Sequence, residues 1–326
     1  MNHKDINTTF NTDFIDNLKD NINKVIVGQS NLIEKIILGI LSDGHILLEG
    51  LPGLAKTLTI KTIAQLIKLN FNRIQFTPDL LPADILGTLI FNQQKNDFEV
   101  RRGPIFSNII LADEINRSPA KVQSALLEAM EERQVSIGTD TYKLDNPFLV
   151  MATQNPLDQD GTYPLPEAQI DRFMFKVIVD YPSKAEEKLI LSRMADFSIK
   201  REIESIVEPN DILEARKFLN TVHISENIMN YIVDIIEATR KPKDYGLNSL
   251  EQLIQLGASP RGTIFLAKSA KSRALLQGRD YVTPEDIRFI FKDVLRHRII
   301  LTYEAEAEEI SQEYILDKII ESIPTP

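Results

Sequence analysis

The 326-residue chain carries 37 Lys and Arg against 47 Asp and Glu, and its net charge of −10 repels nucleic acid unless a local basic stripe compensates. It has no cysteine, which excludes a disulfide framework and a thiolate metal site, and it is long enough to bury the cores of two domains. The start, Met1-Asn2-His3-Lys4-Asp5, lacks an apolar signal core, and no run of about 18 apolar residues exists to span a bilayer, so a cytoplasmic protein without a membrane span is expected.

Residues 1–24 are polar with apolar positions at Phe10, Phe14, Ile15, Leu18 and Ile22, which predicts a leading helix against the core. Ile46-Leu47-Leu48 reads as a buried strand. It runs into Gly50-Leu51-Pro52-Gly53-Leu54-Ala55-Lys56-Thr57, then Leu58 and the helically spaced Ile60, Ile63, Ala64 and Ile67. A glycine-rich turn between a buried strand and a helix aims backbone N–H groups at phosphate oxygens, with Lys56 reaching the terminal phosphates and Thr57 offering its hydroxyl to Mg²⁺. The loop from Gly50 to Leu58 is therefore the expected ATP site. Ala55 stands where the pattern has its second glycine, so the last turn is made with a Cβ present.

Arg73-Ile74-Gln75-Phe76 reads as the next strand. Two β-hairpins then interrupt the α/β alternation, Leu89–Phe91 with Phe98–Val100, and Val135–Ile137 with Tyr142–Leu144. The unbroken run Ile109-Ile110-Leu111-Ala112 predicts a strand covered on both faces, delivering Asp113 and Glu114 at its carboxyl end, where open α/β sheets bind ligands. There Asp113 is placed to hold Mg²⁺, directly or through water, and Glu114 to orient and activate the water that attacks the γ-phosphate. A further buried run, Phe148 to Thr153, ends in Gln154-Asn155-Pro156 and sets the Asn155 amide beside the γ-phosphate. Leu165 to Phe173 leads into a last strand, Phe173 to Val179, which leaves Arg172 at the edge of the nucleotide domain.

From Tyr181-Pro182-Ser183 onward the pattern is helical with no strand expected, which divides the chain into an α/β nucleotide-binding domain, 1–182, and a helical domain, 183–326. Ser259 caps a helix with Pro260 at its first position and Arg261 in its first turn. Thr283 and Asp286 form a structural capping box, and Glu304 to Glu309 reads as a solvated helix face. His3, His45, His223 and His297 show no metal-ligand spacing, so Mg²⁺ is the only metal expected.

In order, GLPGLAKT, IILADEINR, VMATQNP, LPEAQIDRF and GASPRG resemble the MoxR family of AAA+ ATPases, from about Val27 to the end of the chain. The resemblance implies an AAA+ P-loop fold with a parallel sheet core, β-hairpin insertions and a C-terminal helical lid, binding ATP and Mg²⁺ and assembling into a ring of six. Helicase relatives also carry Ala before the P-loop Lys, so Ala55 is compatible with ATP binding. By the same resemblance the hairpins are the helix-2 insert and the pre-sensor-1 hairpin, facing a pore or client; ordinary hairpins packed on the sheet fit the same residues. Gly28 and Gln29 correspond to a segment beside the adenine, although a plain Gly-Gln turn also fits. Arg261 corresponds to the sensor-2 arginine, folded back onto the phosphates of its own subunit. Arg172 corresponds to the arginine finger given to a neighbour, with Arg117 as a second candidate or a helix cap.

The activity implied is that of a chaperone-like remodeller of protein complexes, acting on a protein client and often with a von Willebrand factor A-domain partner. A DNA-dependent motor, a magnesium-chelatase-type subunit and a nucleotide-gated scaffold are the alternatives. The acidic balance, and hairpin tips in which Asn92–Asp97 holds one lysine and Gly138-Thr139-Asp140 none, weigh against nucleic acid. Glu114 weighs against a scaffold without turnover.

Overall fold

The computed structural model describes residues 12–51, 53–155, 162–194 and 204–326. Helices α1 (Asp13–Val25) and α2 (Ser30–Ser42) precede β1 (Ile46–Glu49), α3 (Lys56–Leu66) and β2 (Phe71–Gln75). A short α4 (Pro82–Leu86) leads into a hairpin of β3 (Gly87–Asn92) and β4 (Asp97–Arg102), then β5 (Ile109–Asp113) and α5 (Ala120–Glu132). A second hairpin, β6 (Gln134–Ile137) and β7 (Asp140–Lys143), precedes β8 (Leu149–Gln154), α6 (Glu167–Ile170) and β9 (Phe175–Ile178). Phe10, expected in the leading helix, lies outside the described residues; Ile15, Leu18 and Ile22 of α1 are buried as their spacing predicts.

The central sheet has the order β2-β5-β8-β1-β9 with every pair parallel. Successive residues of a strand point to opposite faces, and both faces are covered here. Ile46, Leu48, Ile109, Leu111, Leu149 and Met151 join a core with α1, α2 and α3, while Leu47, Ile110, Ala112, Val150 and Ala152 join one built on α5. This two-sided burial explains why the strands read as unbroken apolar runs. Burying each of the Ile, Leu, Val and Met side chains among these is worth about 1.5–3 kcal/mol.

Beyond β9 the chain forms α7 (Lys184–Met194), α8 (Pro209–Phe218), α9 (Glu226–Arg240), β10 (Ile254–Leu256), α10 (Pro260–Leu276), α11 (Pro284–Leu295), β11 (Ile300–Leu301), α12 (Tyr303–Ala307) and α13 (Gln312–Ser322). The expectation of no strand in this region is corrected, because β10 and β11 pair antiparallel. Three- and two-residue strands are too short to show a period of two in sequence. The acidic run is a solvated helix face as far as Ala307, with Glu304 and Glu306 exposed on α12, and ends in a turn where Glu309 takes a left-handed φ of +56°. The capping box holds, with the Thr283 N–H donating to Asp286 Oδ2 at 2.8 Å, and Arg279 also donates to both Asp286 oxygens. No described helix is long and apolar enough to cross a membrane.

His45, just before β1, is buried; its Nδ1 accepts from the Val150 N–H at 2.9 Å and its Nε2 lies 3.1 Å from the Met130 carbonyl. Burial, reinforced by the nearby Arg133, pushes the His45 imidazole down to about 3. Burial and Arg298 push His297 down as well. A histidine depressed in the folded state binds fewer protons than it does unfolded, so its contribution is complete above its unfolded value near 6.5 and is lost as the pH falls. Urea midpoints should therefore fall between pH 7 and pH 5, with His45 accounting for about 2 kcal/mol at pH 5. In His45→Gln that share of the slope should vanish; a slope as steep as the parent's would show that His45 is not held neutral.

Candidate functional site

The carboxyl ends of β1, β5 and β8 open into a cleft of about 400 Å³ lined by Gly50, Gly53–Leu58, Arg73, Asp113, Glu114 and Thr153–Asn155. Its floor is the loop entering α3. Gly50 must be glycine because a Cβ there would sit 2.7 Å from the Val179 carbonyl oxygen, and Gly53 turns with φ +85°. Ala55 caps α3 in the left-handed region at φ 57°, a conformation that costs a residue with a Cβ about 1–2 kcal/mol. The cleft thus receives the amino end of an eleven-residue helix, which favours anions. Lys56 Nζ donates to the Gly50 carbonyl at 2.6 Å; burial lowers its ammonium below the ordinary value, opposed by Asp113 and Glu114. Leu51 packs on the core beneath the loop, and Pro52 lies outside the described residues.

Asp113 and Glu114 stand across the cleft from that loop. Thr153 Oγ1 donates to Asp113 Oδ1 at 2.5 Å and accepts the Glu114 N–H at 2.8 Å, so the two carboxyl-end residues of β5 are fixed by the neighbouring strand β8. Arg73 donates to Asp113 Oδ2 from Nε at 3.0 Å and from Nη2 at 2.6 Å. Gln75 Nε2 donates to Glu114 Oε2 at 3.0 Å, and Arg117 Nε lies 3.2 Å from the same oxygen. Arg117 is thus paired with its own subunit's Glu114, and α5 has no side-chain cap. Arg73, Gln75 and Thr153 went unrecognised in the sequence. A signal was present: Arg73 and Gln75 alternate with the buried Ile74 and Phe76, which puts both polar side chains on one face of a strand.

Beside the phosphate cleft, and sharing Gly53, Leu54, Ala55 and Leu58 with it, is a mainly apolar hollow of about 480 Å³ walled by Val25–Val27, Gln29, Tyr181, Pro182, Glu187, Ile190 and Leu191. Gln29 Nε2 donates to the Asp180 carbonyl at 3.2 Å. Gly28 is not a wall residue; it turns at φ +69° with Glu186 so close that a Cβ would clash. The paired hollows suit a molecule with a flat apolar end and an anionic tail.

Arg172 and Arg261 are not in this cleft. Arg172 precedes β9, whose amino end is tied to the start of β1 by Met174 N–H donating to the His45 carbonyl at 2.8 Å. The four residues of β1, about 13 Å at strand rise, separate that end from the P-loop. Arg172 Nη1 lies 2.8 Å from Glu131 Oε2, and Arg261 Nη2 lies 2.5 Å from Glu131 Oε1. Asp171 backs the pair: it accepts Ser259 Oγ at 2.9 Å, meets Arg298 Nε at 2.9 Å and lies 3.5 Å from Arg261. The expected fold-back of Arg261 onto its own subunit's phosphates is therefore corrected. Glu131 and Asp171 anchor it at the amino ends of the strands, where Arg172 also sits.

The first hairpin leaves Leu89, Ile90, Phe91 and Phe98 41–61 % exposed, with Phe91 and Phe98 packed edge to face and Lys95 paired with Glu99 at 2.5 Å. Its Leu89 reaches the tip of the second hairpin at Gly138. The two exposed aromatics are side chains able to stack. Among the described residues, no cluster of three or more His, Cys, Asp or Glu could hold a metal.

Residues 45–175 match the model of the ATPase family associated with various cellular activities (AAA), and residues 249–319 match the AAA lid domain. The chain is 47% identical to Chaperone MoxR1 of Mycobacterium tuberculosis, over 94% of this chain and 80% of that protein. It is 44% identical to YeaC of Bacillus subtilis, over 94% and 93% of the two chains. The crystal structure of a candidate ATPase from Cytophaga hutchinsonii superposes with a TM-score of 0.92 at 53% identity, covering 96% of this chain and 95% of that one.

Proposed function

This chain belongs to the MoxR family of AAA+ ATPases, chaperone-like enzymes that hydrolyse ATP, and we propose that it does so with Mg²⁺ in a closed ring of six that remodels protein complexes. The observation carrying this reading is the separation of the cleft from the Arg172–Glu131–Arg261 group at the opposite ends of one parallel sheet. Arg172 and Arg261, at the far end of the subunit, reach such a cleft only from a second copy stacked head to tail, a heterologous interface that forms a ring where its rotation closes. Arg172 acts as the trans finger, and Arg261 travels with it to the neighbour's phosphates.

Within one subunit, the backbone from Gly50 to Leu58 and the Lys56 ammonium hold the phosphates, and the apolar hollow with Gln29 takes the base. Thr57 and Asp113 supply the hard oxygen donors that suit Mg²⁺, which when bound neutralises charge on the transferring phosphoryl. Glu114 orients the attacking water and takes up its proton; the Asn155 amide sits beside the γ-phosphate and that water. The α/β part, 1–182, carries the phosphate cleft, and the helical domain, 183–326, carries Arg261 and lends Ile190 and Leu191 to the base hollow.

The client is a polypeptide, and a von Willebrand factor A-domain protein is the expected adaptor in the cytoplasm. An apolar hairpin end whose lysine is neutralised by Glu99, on a chain of net charge −10, supports protein over nucleic acid. Exposed Phe91 and Phe98 make a direct test necessary, since aromatics also stack on bases. Single- and double-stranded DNA titrated at low salt by fluorescence anisotropy should bind weakly and leave ATP turnover unchanged, while ATP-trapped rings retain discrete polypeptides. Tight DNA binding with several-fold stimulation of turnover would replace the remodeller with a DNA motor.

A further inference from the structure

Both oxygens of the Asp113 carboxylate are engaged. Oδ1 accepts the Thr153 hydroxyl at 2.5 Å, and Oδ2 accepts two N–H groups of Arg73, at 2.6 and 3.0 Å. The same guanidinium donates to Gln75 Oε1 at 2.9 Å, and Gln75 in turn donates to Glu114 Oε2 at 3.0 Å. One side chain of β2 thus holds the expected metal ligand directly and the expected water-orienting carboxylate through a single intermediary. The row follows from strand geometry: residues 73 and 75 point to one face, and the parallel register puts Gln75 opposite Asp113. β2 is an edge strand of the sheet, and the Arg73 side chain is 49 % exposed, so it can swing aside without repacking a core.

We infer that Arg73 is a positioning residue that competes with Mg²⁺ for Asp113, so that metal-bound nucleotide, rather than nucleotide alone, releases the acidic pair into its working arrangement. Mg²⁺ takes carboxylate oxygens at about 2.0–2.1 Å in a near-octahedral shell, and a guanidinium held on the same oxygen by two hydrogen bonds occupies that approach with like charge. Metal entry therefore breaks the Arg73–Asp113 pair. Because Arg73 also holds Gln75, its departure loosens the hold on Glu114 in the same movement. The displaced guanidinium stays in the cleft whose wall it forms, facing the phosphates together with Lys56.

The inference rests on the proposed Mg²⁺ role of Asp113, and the test separates the two. Binding of a non-hydrolysable ATP analogue to the full-length chain is measured by calorimetry across a series of Mg²⁺ concentrations, for the parent, Arg73→Ala and Arg73→Lys. Removing a two-point charge-assisted clasp should lower the half-saturating Mg²⁺ concentration roughly tenfold in Arg73→Ala. Arg73→Lys, which keeps the charge but not the fork, should fall between the two. A purely structural arginine would leave this midpoint in place. Parent binding that depends on Mg²⁺, with a midpoint unchanged or raised in Arg73→Ala, overturns the inference and leaves the metal reading standing. Parent binding indifferent to Mg²⁺ overturns the metal reading of Asp113 and this inference with it.

Discussion

Glu114→Gln should bind ATP as tightly as the parent chain and turn it over roughly 10²–10⁴-fold more slowly. The substitution keeps the shape of the side chain and leaves Asp113, its Thr153 clamp and the P-loop backbone untouched. What it removes is the negative charge that orients the attacking water and receives its proton. The existing contacts on Glu114 Oε2, from Gln75 at 3.0 Å and Arg117 at 3.2 Å, are donors to an acceptor oxygen that an amide can still supply, so loss of position does not explain the loss of rate. Lys56→Ala makes the contrasting case, since it deletes a cation aimed at the phosphates and should weaken nucleotide binding itself. Calorimetry for affinity and phosphate release for turnover separate the two variants. Near-parental turnover in Glu114→Gln would remove Glu114 from the chemistry.

Arg172→Ala should cost about 10³–10⁵ in turnover while sparing the affinity of each subunit for ATP, because a finger supplied across an interface stabilises charge that develops only as the phosphoryl moves. Its geometry within one subunit explains the second half of that expectation: Arg172 is held by Glu131 at 2.8 Å and by the Leu127 carbonyl at 3.0 Å, at the far end of β1 from the P-loop. Arg261→Ala should fall in the same direction by a smaller factor, since Arg261 shares Glu131 and has Asp171 as a second anchor. Specific activity in the parent should also rise with chain concentration until assembly is complete. A turnover loss in Arg172→Ala accompanied by an equal loss of ATP affinity in the isolated subunit would place its role in folding or in the local site instead.

Legible in the sequence are the features dictated by local chemistry. A P-loop is a contiguous segment whose glycines, lysine and threonine each answer one geometric demand, and the β5 and β8 runs are uniformly apolar because helices cover both faces of a parallel sheet. Arg73 and Gln75 were missed because their importance comes from sheet register: β2 borders β5, a neighbour 36 residues away in sequence between Arg73 and Ile109, and nothing in the strand itself says which acid it will face. Arg261, expected at the phosphates of its own subunit, lies outside that cleft for a related reason. Its helix cap and first-turn position are local and hold, but its destination depends on Glu131 and Asp171, which tie α10 to the amino ends of the strands. Strands β10 and β11 escaped notice through brevity alone.

Mixing two inactive chains shows whether the site is shared between subunits. Arg172→Ala has an intact P-loop and no finger; Lys56→Ala has an intact finger and a failed P-loop. In an equimolar mixture of randomly assembled rings, about one interface in four pairs an intact P-loop with an intact finger, so turnover should recover to about a quarter of the parental specific activity. Mixed rings that stay as inactive as either variant alone, under conditions where the subunits demonstrably exchange, would contradict the claim that Arg172 completes a neighbour's site.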